Sequence, residues 1–268
     1  MVAAPWRLRR RGRRGPGRVT TEAALEALEA ERARLSLARP NGPLLRPRDA
    51  GTLIVVDRTG PVPRLLMGRR SPGHVFMPGH YVFPGGRVDP EDLRLAASFT
   101  LPENALARLC AGPPSRFDAR RATAVALAAI RETFEETGAM VGATGVPVSL
   151  SGHWQSFAAR AIRPAPELLV PLARAITPPG PPRRYDTRFF CVDASAMGGV
   201  MAGEPPTDEL EAVGWFPLDE IGRLTIATIT RRVLADLEIR LADDSFLDAS
   251  RPMPFYRSVR GRFVRDLL

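Results

Sequence analysis

One stretch, residues 118–138, constrains this chain more than any other. Asp118 is a residue type that caps helices, and Gly138 is the type found just past a helix end. At about 100° per residue, Thr123, Leu127, Ile130 and Phe134 fall within about 40° of each other and form an apolar stripe. A helix with such a stripe must bury it against another element. Residues 51–57 (GTLIVVD), 64–69 (RLLMGR), 168–177, 187–192, 212–216 and short pieces of 255–264 read as strands. Residues 102–111, 154–161, 218–224 and 228–241 read as further helices. The elements alternate irregularly, and no period of roughly 20–50 residues repeats. The fold class expected is α/β (α+β), a mixed β-sheet sandwiched between helices.

The same helix carries the chemistry. Glu132, Glu135 and Glu136 fall within about 100° of each other, roughly opposite the stripe. They are i, i+3 and i+4 neighbours, and like charges so spaced repel by about 0.2–0.5 kcal/mol per pair. Arg131 lies one turn before Glu135 and can pair with it, but one guanidinium does not neutralise three carboxylates. A divalent cation would, because hard cations bind through carboxylates together with substrate phosphates. The bland alternative is a solvated acidic helix face. Phe83-Pro84-Gly85-Gly86 lies at the end of a predicted strand, where glycine lets backbone approach a ligand or metal with no Cβ in the way.

In this order, FPGG and then REx2EExG, the chain resembles the Nudix hydrolase family, whose signature is Gly-x5-Glu-x7-Arg-Glu-U-x-Glu-Glu-x-Gly-U with U apolar. Gly86 matches the first glycine; Arg131, Glu132, Glu135, Glu136 and Gly138 match the second half. Gly86 and Arg131 are 45 residues apart instead of 14, so about 31 residues are inserted. The acid at +6 is Asp92, with Asp89 and Glu91 as neighbouring candidates. An insertion at this place resembles the acyl-coenzyme A diphosphatase (Nudix type 19-like) subfamily. So do Arg69-Arg70-Ser71-Pro72, the segment leading into Phe83, and Arg183-Arg184-Tyr185-Asp186-Thr187-Arg188.

The resemblance implies a Nudix domain over 46–268, with an inserted helical segment near 93–117. Its two ends are fixed at Gly86 and Arg131, which places it beside the site. The implied activity is a metal-dependent pyrophosphohydrolase that cleaves a nucleoside diphosphate derivative, coenzyme A or acyl-coenzyme A. The implied cofactor is Mg2+ or Mn2+, held by Glu132, Glu135, Glu136 and the Gly85 carbonyl, with Arg131 orienting Glu135. Substrate contacts are implied at Arg69, Phe83 and Arg188. In many Nudix enzymes the base is a downstream glutamate. Glu209 is preferred here over Glu211, and strand alternation would put both on one face with Val213. The alternatives are another substrate (ADP-ribose, a nucleotide sugar, NADH or capped RNA) or a Nudix-fold binding or regulatory protein without catalysis.

Composition narrows the partners. The chain has 268 residues, and all 38 basic residues are arginine. Seven of them lie in the first 18 residues, a basic tail expected to be disordered; the other 31 face 29 acidic residues. The body is thus nearly neutral, and a nucleic-acid partner is not expected. Residues 19–45 read as a helical extension, with a helix over 21–37. No apolar run approaches a membrane span, and no apolar stretch follows the tail arginines, so neither a membrane partner nor export is expected. Cys110 and Cys191 make no framework. A cytoplasmic, bacterial protein is expected, with a homodimer as the candidate assembly. His74, His80 and His153 lack ligand spacing and read as structural or surface residues.

Overall fold

The structure, a computed structural model, describes residues 26–30, 45–73, 77–113, 117–145, 150–179, 181, 183–197, 204–260 and 262–268. The basic tail 1–18, His74 and most of the 19–45 extension lie outside them; of the helix expected over 21–37, residues 26–30 are described and helical. Among the described residues no helix is long and apolar enough to cross a membrane.

Strand β1 (Arg48–Asp57) is the spine of the sheet. One edge pairs in parallel with β8 (Tyr185–Asp193), from Arg48 opposite Tyr185 to Val56 opposite Asp193. The other edge divides. Ala50, Gly51 and Thr52 pair with β4 (Gly85–Arg87), whereas Val56 and Asp57 pair with β2 (Arg64–Arg70). Beyond β8 come β7 (Val170–Ile176), β10 (Pro254–Val259) and β11 (Arg262–Leu267); β3 (Tyr81–Val82) and β9 (Leu210–Pro217) both pair with β2. A separate ribbon joins β5 (Gly142–Thr144) to β6 (Ile162–Pro164).

Alternation along β1 builds two cores. Leu53 and Val55 pack with helix α3 (Ala119–Thr137), while Ile54 and Val56 pack on the other face with α6 (Thr228–Ala242). The sheet is therefore mixed and sandwiched between helices. Asp118 caps α3 by accepting the Arg121 N–H at 2.9 Å, and Gly138 ends it at φ 74°. A Cβ on Gly51 would overlap the Val125 carbonyl oxygen, so glycine there lets α3 lie close on β1.

The sequence gives α3 one apolar stripe; the structure buries every residue from Ala122 to Arg131. The reason is the insertion. It forms α1 (Pro90–Leu95), a 3-10 turn (Ala96–Ser98) and α2 (Glu103–Cys110). Through Phe99, Leu101, Leu109 and Phe117 it covers the flank of α3 that the sheet leaves open. Buried Arg174 ties it down further, donating to the carbonyls of Ala111 and Pro113.

Candidate active site

Arg131 organises the C-terminal half of α3. Its Nε and Nη2 donate to Asp92 Oδ1 and Oδ2 at 3.1 Å, and Nη2 also donates to the Arg87 carbonyl at 3.0 Å. Its Nη1 lies 2.9 Å from Glu132 Oε1 and 2.8 Å from Glu135 Oε2. Burial alone would tend to discharge the guanidinium, but these carboxylates more than offset that and keep it charged. Asp92, the acid at +6 from Gly86, is thus the one that holds Arg131.

Beyond the Glu132 side of this hub opens a cleft of about 1,050 Å3 on the α6 face of the sheet. Glu132, Glu136, Gly85, Gly86 and Glu209 line one end of it. Glu136 is 3 % exposed and accepts the Gly85 N–H at 2.9 Å. A Cβ on Gly86 would collide with the Glu132 carboxylate, so Gly86 is the cradle in which that side chain lies. The division of β1 between β2 and β4 makes this possible, because it leaves the outer edge of β4 free for glutamates reaching round from α3.

These carboxylates are electrostatically strained. Burial, then the neighbouring Glu132 and Glu209, push Glu136 up to about 8 against the Gly85 N–H and Arg70. Burial pushes Glu132 up to about 7, with Glu135 and Asp92 adding to the effect and Arg131 opposing it. Among the described residues no three ligating side chains converge into a closed metal cage. Mg2+, however, is commonly held by one or two carboxylates plus substrate phosphates. Buried Glu136 and part-buried Glu132, with a third carboxylate lining the same end, are hard-oxygen donors that fit such a cation.

The remaining expected site residues are divided. Glu135 lies behind the cleft lining, between Arg131 and His153, whose Nδ1 is 3.1 Å from Glu135 Oε1. The reason is helical geometry: Glu132 and Glu136 project about 40° apart, whereas Glu135 projects about 100° from Glu136. His153, read as bland in the sequence, therefore touches the hub, and its backbone N–H donates to Glu91 at 2.8 Å. Phe83 lines the cleft. Arg69 does not; it pairs with Glu211 at 2.9 Å, and alternation turns Arg70 into the cleft instead. Arg188 is wholly buried, with its guanidinium 3.4 Å from the Phe117 ring centre and an ion pair to Asp49, so it does not reach the cleft. Glu209 lines the cleft, whereas Glu211, paired with Arg69, does not, and Glu211 and Val213 do not keep the expected alternation. Glu209 precedes β9, and a bulge sets Ala212 and Val213 opposite Gly68, with Ala212 at φ 48°. No described residue of the insertion lines the cleft; its apolar side chains pack on α3, and its first helix meets the hub through Asp92.

No family model and no curated protein matches the chain. Solved structures do. The crystal structure of a NUDIX hydrolase from Alicyclobacillus acidocaldarius is 30 % identical, with a TM-score of 0.51, and the match covers 74 % of this chain and 96 % of that one. The NUDIX domain of Shewanella oneidensis NrtR, solved with ADP ribose, is 12 % identical over 78 % and 97 % of the two chains, with a TM-score of 0.43. A MutT NUDIX hydrolase from Burkholderia pseudomallei is 19 % identical over 72 % and 99 %, with a TM-score of 0.40.

Proposed function

The chain belongs to the Nudix hydrolase family and is a pyrophosphohydrolase of a nucleoside diphosphate derivative, and from that premise we propose that its substrate is coenzyme A or an acyl-coenzyme A, cleaved at the carboxylate end of the cleft. The observation that carries this reading is the pair of mutually repelling carboxylates, buried Glu136 and part-buried Glu132, at one end of a large open cleft. Glu132 and Glu136, with Glu135 beside them on Arg131 and the Gly85 carbonyl at the same strand end, are the proposed holders of Mg2+ or Mn2+. When bound, that cation would polarise the phosphoryl oxygens and make attack by water easier.

The chain's own residues position the reaction. Arg131, fixed by Asp92 and the Arg87 carbonyl, holds Glu132 and Glu135 in place. Glu209 is the proposed acceptor of the attacking water's proton, since it lines the same end from a separate segment. Hydrolysis forms one P–O bond from water and breaks the bridging P–O bond. The leaving phosphate takes up the electron pair, and two phosphate monoesters result. The apolar walls, with Phe83, Phe189, Tyr256 and Phe263, suit a long, partly apolar group, and a cleft of about 1,050 Å3 is large enough to take one. A mass-spectrometric panel tests the reading. Coenzyme A, acetyl-coenzyme A, ADP-ribose, NADH and capped RNA are each incubated with and without Mg2+. Faster cleavage of the coenzyme A forms supports the proposed substrate, and a higher kcat/KM on another compound replaces it.

A further inference from the structure

We infer that the end of the cleft away from the carboxylates is a second anion subsite, which holds a phosphate monoester of the substrate apart from its diphosphate. The floor of the cleft is a sheet surface whose register is known. Arg48, Ala50 and Thr52 alternate onto it from β1, and their partners Tyr185, Thr187 and Phe189 do so from β8. Thr52 pairs with Gly85 at the carboxylate end. Arg48 lies four residues away, roughly 13 Å along the strand. Between these ends the floor carries the small side chains of Ala50, Thr187 and Ala175, and a ligand can lie along it.

The two ends differ in charge. Among the described residues, Glu132, Glu136 and Glu209 are the only acids lining the cleft, and all three are at the Gly85 end. Arg70 and Arg87 accompany those acids at the Gly85 end, whereas Arg46, Arg48, Arg183 and Arg184 line the other end with no acid beside them in the lining. Arg46, Arg48 and Arg183 have no ion pair among the described residues. Arg184 donates Nε to the Thr177 carbonyl at 3.0 Å and Nη1 to the Leu45 carbonyl at 2.6 Å, neither of which balances its charge. Burial alone moves its pKa, downward. Uncompensated guanidinium groups in a concave wall focus a positive potential and match phosphate oxygens in geometry. A diphosphate at the Gly85 end does not use them; a further phosphate on the same molecule does.

This inference rests on the diphosphate lying at the carboxylate end, and its test is separate from turnover. The protein with Mg2+ is titrated calorimetrically with adenosine 3′,5′-bisphosphate and with AMP, neither of which contains a diphosphate to cleave. The bisphosphate is expected to bind about tenfold more tightly or better, the worth of one charge-assisted hydrogen bond. In the Arg48→Gln/Arg183→Gln double variant, with its thermal melt unchanged, that advantage is expected to fall to about twofold or less. Equal affinities in the wild-type protein, or an advantage that survives the double variant, would overturn the subsite. Diphosphate hydrolysis that persists in that case leaves the proposed reaction standing and removes only the second subsite.

Discussion

Asp92 accepts two hydrogen bonds from the Arg131 guanidinium, Nε to Oδ1 and Nη2 to Oδ2, across 39 residues of sequence. Both side chains are buried. The pair joins the start of the insertion to α3, so the acid at +6 from Gly86 acts on the site through Arg131. Removing one partner leaves the other as an uncompensated buried charge. Asp92→Ala is therefore expected to cost about 3–5 kcal/mol in urea unfolding. A loss below about 1 kcal/mol would show that the pair does not hold the helix.

The pH dependence of stability follows from Glu136. Its carboxyl is pushed up to about 8, and that of Glu132 to about 7, while in the unfolded chain both return to the ordinary carboxylate range. Over that window the folded state binds more protons than the unfolded state, so stability falls as pH rises. In EDTA, the thermal midpoint is expected to drop between about pH 5 and about pH 8, and Glu136→Gln to flatten that slope. The two groups titrate as a pair, so the variant removes part of the effect rather than all of it. A wild-type midpoint that rises across the window, or an unchanged slope in the variant, contradicts the assignment.

Leu109 is 1 % exposed and belongs to the core that the insertion shares with α3. Leu109→Ala is expected to destabilise the protein by about 2–5 kcal/mol while leaving KM unchanged below the melting range. A shift in KM without a loss of stability would return the insertion to the substrate path.

Much of this was legible in the sequence because local chemistry and tertiary demand agree there. Asp118 and Gly138 bound α3 where their residue types say they should, and β1, β2, β8 and α6 follow their hydrophobic patterns to within a few residues. What was hidden depends on contacts between distant segments. Whether α3 shows a solvated face depends on where the insertion packs, and no window of α3 contains that information. The choice of Arg70 over Arg69 turns on strand phase, which a single residue reverses. The loss of alternation between Glu211 and Val213 turns on a bulge whose positive φ falls on Ala212, a residue type that gives no warning of it. His153 meets Glu135 only through a turn that brings residue 153 back beside α3.

Cys191 is fully buried, its thiol donates to the Phe246 carbonyl at 2.9 Å, and burial pushes it up to about 12. Half-buried Cys110 is the more accessible thiol. Native protein at about pH 8 is expected to label at Cys110 alone, with Cys191 reacting only after unfolding, because the thiolate is the reactive form. Peptide mapping after alkylation checks this, and native modification of Cys191 would contradict its place in the core.

The most direct test of the central claim is the metal dependence of diphosphate cleavage in wild-type protein and in Glu136→Gln. Product formation from coenzyme A and ADP-ribose is followed by mass spectrometry, in EDTA and after adding back Mg2+ or Mn2+. The account predicts no turnover in EDTA, recovery with either cation, and a loss of roughly 10²-fold or more in kcat for Glu136→Gln, the scale of removing an electrostatic transition-state stabiliser. Full turnover in EDTA, or near wild-type kcat in the variant, would contradict it.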